Sequence, residues 1–284
     1  MPLEIGQFQI GNLVMGPYTP FKIESIDIGN YDINAQDFQN VLSDELRFGT
    51  DTLKPNPIQL TINVIANRSL PNITALVRSS TITYVDPTLS DLQREWRAED
   101  IRLQWGALKP LLFRGTDGVT RQFYGRPGKF TYKMHRQIQS EYYQVVAEFR
   151  RADTLCYSDT EYYVTLGNSP ANYARVRGDA PSWVRFIING PIQNPVIDFG
   201  TQQISLNTTI PSGKAVEISS YPWSRRIINS DGLSLAAYNT SPDPYLDRIK
   251  FHPGVVTQMS WTGTGYNGST SVRLFWHDAY QVMM

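Results

Sequence analysis

The stretch Asn189–Gly200, NGPIQNPVIDFG, indicates the fold of the second half of the chain. Asparagine and glycine tolerate left-handed backbone angles and proline fixes the direction of exit, so Asn189-Gly190-Pro191 predicts a turn. Pro195 is expected to begin the next strand, because proline lacks a backbone N–H and is confined to strand ends and edges. The stretch therefore predicts a corner where two strands of a β-sandwich meet.

Short strand-like segments surround this corner. They recur at roughly ten-residue spacing, separated by Gly, Pro and Ser, which is typical of sandwiches and barrels. Asp231-Gly232 is expected at the tip of a hairpin in RRIINSDGLSLAAY, and Gly263–Ser269, GTGYNGS, at the tip of a longer one. The second half thus predicts a β-sandwich of jelly-roll type. The other segments are SWVRFIING, QISLNTT, KAVEISS, GVVTQMSWTG and TSVRLFWHDAYQVMM.

Alternating apolar residues also predict strands in the first half. In PIQLTINVIA, every second residue from Ile58 to Val64 is apolar, as in a half-buried strand. LLFRGTDGVTRQFYG predicts a hairpin around Asp117-Gly118. The following GRPGKF is expected to be an exposed corner, because Pro127 cannot donate to a sheet. Two further inward-facing sets are expected: Phe130, Tyr132 and Met134, and Tyr143, Val145, Ala147 and Phe149.

One segment of the first half, TLSDLQREWRAEDIRLQWG, predicts a helix of about three turns. Ser90 or Asp91 is a suitable N-cap, because either side chain can accept a hydrogen bond from the first turn. Arginines and carboxylates alternate along the segment, which favours a salt-bridged, solvated helix face over a catalytic pair of carboxylates. The apolar positions are Leu92, Trp96 and Leu103.

The composition permits self-association. The 284 residues are 41% hydrophobic and 18% charged, with 26 basic and 26 acidic side chains. Two domains are expected for this length, and the apolar content suffices for a core in each. A dedicated duplex-DNA binder would carry a basic excess. A chain of zero net charge repels its own copies weakly, so oligomers carry no electrostatic penalty.

The sequence contains no pattern typical of catalysis, a metal or a cofactor. The lone Cys156 cannot form an internal disulfide, and His135, His252 and His277 lack metal-ligand spacing. No nucleophile elbow or phosphate-binding loop is present. We therefore expect a non-enzymatic protein with no cofactor or metal. It has no signal peptide and no long apolar run, so membrane insertion is not expected and folding should occur in the cytoplasm.

Exposed aromatics offer one candidate binding site. In SSYPWSRR, Tyr221 and Trp223 stand beside Arg225, and sugar-binding sandwiches stack pyranose rings on exposed aromatic side chains. These three residues are the candidate contact for a glycan or a protein. The alternative is that Trp223 caps the sandwich core while the arginines face solvent.

Four regions of the sequence resemble the distal tail protein family, also called minor tail proteins, of long-tailed, non-contractile bacteriophages. The likeness is strongest to phages of actinobacteria. It rests on the order and spacing of the motifs, which together cover most of the chain. They are SDELRFGTD, LLFRGTDGVTRQFYGRPGKF, VVAEFRRADTLCYSD, and a last group formed by NGPIQNPVIDF, SGKAVEISSYPWSRR and FWHDAYQV.

The resemblance implies a mainly β protein with two domains. Residues 1–155 would form a β-rich, ring-forming domain with one helix, and residues 156–284 a galectin-like or jelly-roll sandwich outside the ring. A hexameric ring would join the tail tube protein to the tip hub protein, with the tape measure protein or DNA passing through its lumen. The chain would be a structural virion protein of the tail tip, assembled in the host cytoplasm. Host cell-wall glycan is the further implied contact, and a carbohydrate-binding module is the alternative function.

Overall fold

The computed structural model describes residues 2–29, 31–39, 46–65, 87–137 and 140–281. The chain divides into two compact units. Unit 1 runs to Cys156 and unit 2 comprises residues 157–281. Both are built mainly from antiparallel strands, so the predicted mainly β fold class is confirmed.

Unit 1 contains eleven described strands and two short helices. The strands are β1 Phe8–Ile10, β2 Leu13–Met15, β3 Phe21–Ile28, β4 Tyr31–Asn34, β5 Phe38–Gln39, β6 Leu46–Arg47, β7 Thr52–Pro55, β8 Ile58–Ile65, β9 Lys109–Arg114, β10 Thr120–Gln137 and β11 Ser140–Arg151. The helices are α1 Pro87–Arg97 and α2 Glu99–Arg102.

The main sheet of unit 1 has the order β3-β8-β11-β10-β9-β1-β2, and every neighbouring pair is antiparallel. The alternation predicted for β8 is confirmed, because Ile58, Leu60, Ile62 and Val64 are fully buried. The inward set of β11 is buried in the same way at Val145, Ala147 and Phe149. The hairpin around Asp117-Gly118 is confirmed by the pairing of β9 with β10.

The helix packs on the sheet through Trp96. This side chain is 1% exposed and donates its indole N–H to the carbonyl of Glu148 in β11 over 3.0 Å. The predicted N-cap is wrong: α1 begins at Pro87, so Ser90 and Asp91 lie inside it. The eleven-residue length agrees with the prediction of about three turns. The helix ends at Arg97, because the left-handed backbone of Ala98 (φ 47°) interrupts the run of α-helical residues before α2 begins.

Strand β10 overturns two expectations. The segment GRPGKF is not an exposed corner: β10 continues through it, with an irregular register between Pro127 and Phe130. Gly128 and Lys129 stand opposite the single residue Glu148, as in a β-bulge, so the strand continues past Pro127. Tyr132 and Met134 do not face the core either, being 53% and 43% exposed. In this part of β10 the side chains from Thr131 to Met134 are all exposed, so the alternation does not correspond to burial.

Two small ribbons complete unit 1. Strand β4 pairs only with β7 in the described structure, and β5 pairs with β6. Strands β4 and β7 expose three large apolar side chains to solvent, namely Tyr31, Ile33 and Leu53. Ser43–Glu45 of the SDELRFGTD motif lie outside the described residues.

Unit 2 is a sandwich of two sheets. One has the order β12-β22-β14-β18-β19 with β20 beside β14, and the other has the order β13-β21-β15-β16 with β17 beside β15. Their bounds are β12 Cys156–Leu166, β13 Ala171–Ala174, β14 Ser182–Asn189, β15 Ile192–Phe199, β16 Gln202–Ser205, β17 Thr209–Ile210, β18 Ala215–Ser219, β19 Arg226–Asn229, β20 Lys250–Phe251, β21 Val256–Thr264 and β22 Ser271–Tyr280. Two 3₁₀ turns occupy Ala236–Tyr238 and Leu246–Arg248.

The corner predicted at Asn189-Gly190-Pro191 is confirmed. It joins β14 and β15, which belong to opposite sheets and line the shared core with residues such as Phe186 and Ile197. Glycine is required there, since a Cβ on Gly190 would lie 2.2 Å from the Pro211 carbonyl oxygen. The second strand begins at Ile192 rather than at Pro195.

The two loops expected to be hairpin tips differ. Around Asp231-Gly232 the Asn229 N–H donates to the Leu233 carbonyl over 3.0 Å, so a short hairpin forms as predicted. The loop Gly263–Ser269 is not a hairpin tip, because β21 and β22 lie in different sheets. Strands β21 and β22 each pair with other strands of their own sheet, so the glycine-rich loop crosses from one sheet to the other.

Candidate interaction surfaces

The predicted site residues Tyr221 and Trp223 lie together in the turn after β18. Their rings are stacked, with centroids 5.0 Å apart and an interplanar angle of 11°. Ser220 fixes the start of this turn, since its hydroxyl contacts the Val184 carbonyl at 2.8 Å. Tyr221 is only 4% exposed and donates its hydroxyl to Glu161 over 3.1 Å. Its ring is therefore committed to internal packing.

Trp223 and Arg225 occupy the more open side of this cluster. Trp223 is half-buried, and its ring meets Tyr157 edge-on at 5.0 Å. Arg225 is exposed, with its guanidinium 5.7 Å from the ring centre of Trp183, and Lys250 Nζ lies 4.3 Å from the same ring. The turn thus presents the half-buried Trp223 together with the Trp183 ring, which has the cations of Arg225 and Lys250 beside it. A ligand with anionic or hydroxyl groups could use these cations.

Charged side chains are held in a network around Arg185 in the same unit. Arg185 donates to both carboxylate oxygens of Glu161 over 2.6 and 3.1 Å, and to Glu217 over 3.3 Å. Its guanidinium also lies 4.5 Å from the ring centre of Phe275. Burial lowers the pKa of Arg185, but the hydrogen bond and charge of Glu161 outweigh burial and raise it. This network fixes Glu161 and, through it, Tyr221.

His277, Ser158 and Asp278 lie close together but do not form a nucleophilic triad. The His277 Nδ1 atom lies 2.9 Å from the backbone carbonyl of Ser158, not from its hydroxyl. The Ser158 hydroxyl instead accepts the Asp278 backbone N–H over 3.0 Å. Burial lowers the pKa of His277 and raises the pKa of Asp278. These hydrogen bonds join strand β12 to strand β22.

The charged face of the helix is salt-bridged, as predicted. Lys109 Nζ lies 2.7 Å from a Glu95 carboxylate oxygen and 3.4 Å from Asp100. A polar groove of about 640 Å³ follows this face. Among the described residues, no group of His, Cys, Asp and Glu side chains is arranged to hold a metal ion. Likewise, no helix in the described ranges is long and apolar enough to span a membrane.

The loop after α2 exposes two apolar side chains that sequence reasoning missed. Leu103, expected on the apolar side of the helix, is 97% exposed, and Trp105 is fully exposed. The backbone of this loop is nevertheless held in place. Arg126 donates to the carbonyls of Gln104 and Ala107, each over 2.6 Å, and Arg102 donates to the Pro127 carbonyl over 3.2 Å. An exposed tryptophan on a fixed backbone is typical of a contact surface.

Comparison with known proteins gives structural neighbours only. No protein-family model and no curated protein matches the sequence. The chain is similar to the Dit protein (gp 19.1) of phage SPP1, described as a paradigm of the hub adsorption apparatus in phages that infect Gram-positive hosts. The TM-score is 0.59 at 14% identity, and the match covers 96% of this chain and 98% of the other.

Two further neighbours belong to the phage P2 baseplate in its activated conformation, solved with Ca and with Sr. Their TM-scores are 0.54 and 0.51 at 10% and 9% identity. These matches cover 96% and 95% of this chain and 97% of each neighbour. The resemblance to distal tail proteins predicted from the sequence is thus confirmed at the level of the fold: the chain has the fold of phage Dit and baseplate proteins.

Proposed function

We propose that this chain is a structural protein of a phage tail tip, where its copies form a ring between the tail tube and the tip hub. The observation that carries the proposal is the extent of the structural match. It spans nearly the whole of this chain and nearly the whole of the SPP1 Dit protein, so both units are included. A shared sandwich domain alone would not produce that coverage, since unrelated proteins often have one sandwich in common.

The two units take different roles in this proposal. Residues 1–155 build the ring, and residues 156–284 form an outer domain. The ring is a hexamer whose partners are the tail tube protein, the tape measure protein and the tip hub protein, and DNA only passes through the lumen. Unit 1 supports a ring because it exposes separate apolar surfaces, and a closed head-to-tail ring needs two different contact surfaces on every copy.

Labelling of intact particles tests this location. An antibody raised against the purified chain should label the tail tip of particles of the phage that encodes it, in electron micrographs. A matched control antibody against the major capsid protein should label the head. Label on the head alone, or particles without label although the chain is expressed during infection, would contradict the proposal.

A second candidate function is attachment to host cell-wall glycan through Trp223 and Arg225. The observation that favours it is the pair of cations around the Trp183 ring beside the half-buried Trp223. Arg225→Ala should weaken pull-down by cell-wall glycan, because the exposed guanidinium would contact the ligand. Lys214→Ala, at an exposed ion pair with Asp231 elsewhere in unit 2, is the control and should bind normally. Absence of binding by the wild-type protein would end this idea.

We also propose that the role is not enzymatic. The predicted carboxylates Glu95 and Asp100 share Lys109 in ion pairs, and the buried His277 contacts a backbone carbonyl. These contacts favour structural roles for the side chains most suited to acid–base chemistry. Incubation with cell-wall polymers should release no soluble sugar or peptide. Release that depends on either Glu95 or Asp100 would overturn this proposal.

A further inference from the structure

Two exposed surfaces of unit 1 lack a partner within the described chain. The first, named the loop surface, consists of Leu103 and Trp105. The second, named the ribbon surface, consists of Tyr31, Ile33 and Leu53 on strands β4 and β7. Exposed fractions run from 48% at Tyr31 to 97% or more at the loop surface. Since exposure was measured on the folded chain, neither surface covers the other within one copy.

The ribbon requires a covering surface. A two-stranded ribbon is at best marginally stable in water, because it lacks a second layer to bury its apolar side chains. Its base is nonetheless fixed: Arg151 donates to the carbonyls of Gly29 and Asn56, the residues just before β4 and just after β7. Ile33 and Leu53 are directly opposite each other in the register, so they form one continuous apolar patch.

Hydrogen bonds hold the backbone of the loop surface in place. Arg126 and Arg102 donate to five backbone carbonyls in and around the loop, those of Trp96, Arg97, Gln104, Ala107 and Pro127. A preordered backbone loses little conformational entropy when its side chains enter an interface. Tryptophan is also the residue type most enriched among side chains that dominate binding energy.

The charges of the two surfaces are complementary. Arg102 and Arg126 donate their hydrogen bonds to backbone carbonyls and form no ion pair with a described carboxylate. The nearby Glu99 and Asp100 are instead paired with Arg97 and Lys109. Asp51, directly before β7, continues the alternation of Leu53 on the face of the ribbon surface, whereas Asp32 and Lys54 pair on the opposite face. A positive loop surface would therefore attract a negative ribbon surface, which favours their correct pairing.

We propose that the ribbon surface of one copy packs on the loop surface of the next copy, and that this contact builds the ring. The inference rests on the proposed function and names the residues of its self-contact. Two different surfaces on one chain make a head-to-tail interface, which closes into a ring when each copy is rotated by a fixed fraction of a turn. Ile33 and Leu53 contact Trp105, while Arg102 and Arg126 face Asp51.

Complementation of two variants tests this contact. The loop variant is Leu103→Ser with Trp105→Ser, and the ribbon variant is Ile33→Ser with Leu53→Ser. Each variant alone should associate about tenfold or more weakly than wild type in light scattering after size exclusion. Mixed together, they retain one intact ribbon–loop contact per pair and should form a heterodimer that cannot close. Val176→Ser, which removes an 89% exposed apolar side chain in unit 2, should oligomerise like wild type.

A cross-link provides a readout that does not depend on a folded ribbon variant. Cys156 is buried, so Tyr31→Cys and Leu103→Cys each add one exposed thiol while keeping Leu53 and Trp105. Mild oxidation of the mixture should give a disulfide-linked heterodimer, and oxidation of either protein alone should give far less dimer. Oligomers unaffected by the loop variant, or a mixture without heterodimer and without cross-link, would overturn the inference. Rings that persist in both variants would leave the proposed function standing, whereas a wild type that stays monomeric with its tail partners would remove both.

Discussion

Trp105 and Trp223 occupy opposite environments, although both follow polar segments and stand near arginines in the sequence. Trp223 packs between Tyr157 and Tyr221 in unit 2, with ring centroids 5.0 Å from each. Trp105 touches solvent on all sides in unit 1, and arginines fix only its backbone. Trp223, which the sequence suggested as a ligand contact, packs largely within its own unit. Trp105, which the sequence placed in a helix, is exposed and can contact another molecule.

This difference shows how the two units use their apolar surface. In unit 2 the core between the two sheets buries aromatic side chains such as Phe186, Phe199 and Phe251, while others, such as Tyr163, stay exposed. In unit 1 the apolar side chains of the ribbon surface and the loop surface are exposed to water. This exposure is unfavourable unless another molecule covers them. Two separate uncovered surfaces on unit 1 are consistent with a unit that forms a ring.

The largest expected effect contrasts Trp105 with Trp96, nine residues earlier in the chain. Trp96→Ala removes a buried ring and the hydrogen bond to the Glu148 carbonyl, so unit 1 should lose about 3–5 kcal/mol of unfolding free energy. Trp105→Ala removes no described contact and should leave the monomer's stability unchanged. Urea unfolding followed by circular dichroism measures both. A comparable loss in Trp105→Ala would show that the loop packs within its own copy.

The next effect concerns Trp223. Replacing it with alanine removes two aromatic contacts from a half-buried site, so unit 2 should lose about 1–3 kcal/mol. Arg225→Ala, the control, should cost at most about 1 kcal/mol, because its cation–π contact is exposed. Thermal unfolding monitored by calorimetry compares the two. A Trp223→Ala protein as stable as wild type would mean that the ring is available for a ligand after all.

The last effect is a pH dependence of the cluster around Tyr221. The His277 ring lies 5.9 Å from the Tyr221 ring, and burial holds the pKa of His277 below its usual value of 6.5. The unfolded chain therefore takes up a proton at higher pH than the folded chain. Stability should be fully present above pH 6.5 and should fall as the pH drops from there toward the folded pKa. The raised pKa of Asp278 gives a slope of the opposite sign in the window just above 3.8.

Two histidine variants separate the contribution of His277 to this pH dependence. His277→Gln should flatten the loss of stability between about pH 7.5 and about pH 5.5, because glutamine cannot take up the proton. His252→Gln changes an exposed side chain and should retain the wild-type slope. Unfolding midpoints of unit 2 at a series of pH values provide the measurement. Equal slopes in all three proteins would show that His277 does not control this dependence.

Much of the fold was predictable, because period-two burial is a local property. Strand β8 shows it most plainly: four apolar residues at alternate positions are all fully buried. The corner at Gly190 was predictable for the same reason, because Asn, Gly and Pro next to one another favour the backbone angles of a turn. The hairpin at Asp117-Gly118 followed from turn chemistry.

Other features depend on which part of the structure packs against a given segment, and the pattern of apolar and polar residues in that segment cannot specify this. Tyr132 and Met134 alternate like buried residues, but no described layer covers that part of β10. The loop Gly263–Ser269 has the composition of a hairpin tip, and only the choice of partner strands sends it between sheets. Trp105 was missed because helical periodicity was extended past Ala98, where a left-handed residue breaks it.

Self-association into a closed ring is tested most directly by native mass spectrometry of the purified chain, alone and with the tail tube and hub proteins. We expect a single discrete oligomer whose mass is a whole multiple of 32.3 kDa, with no ladder of larger species. A chain that remains at 32.3 kDa in every mixture, or an open series of oligomers without a preferred size, would contradict the ring.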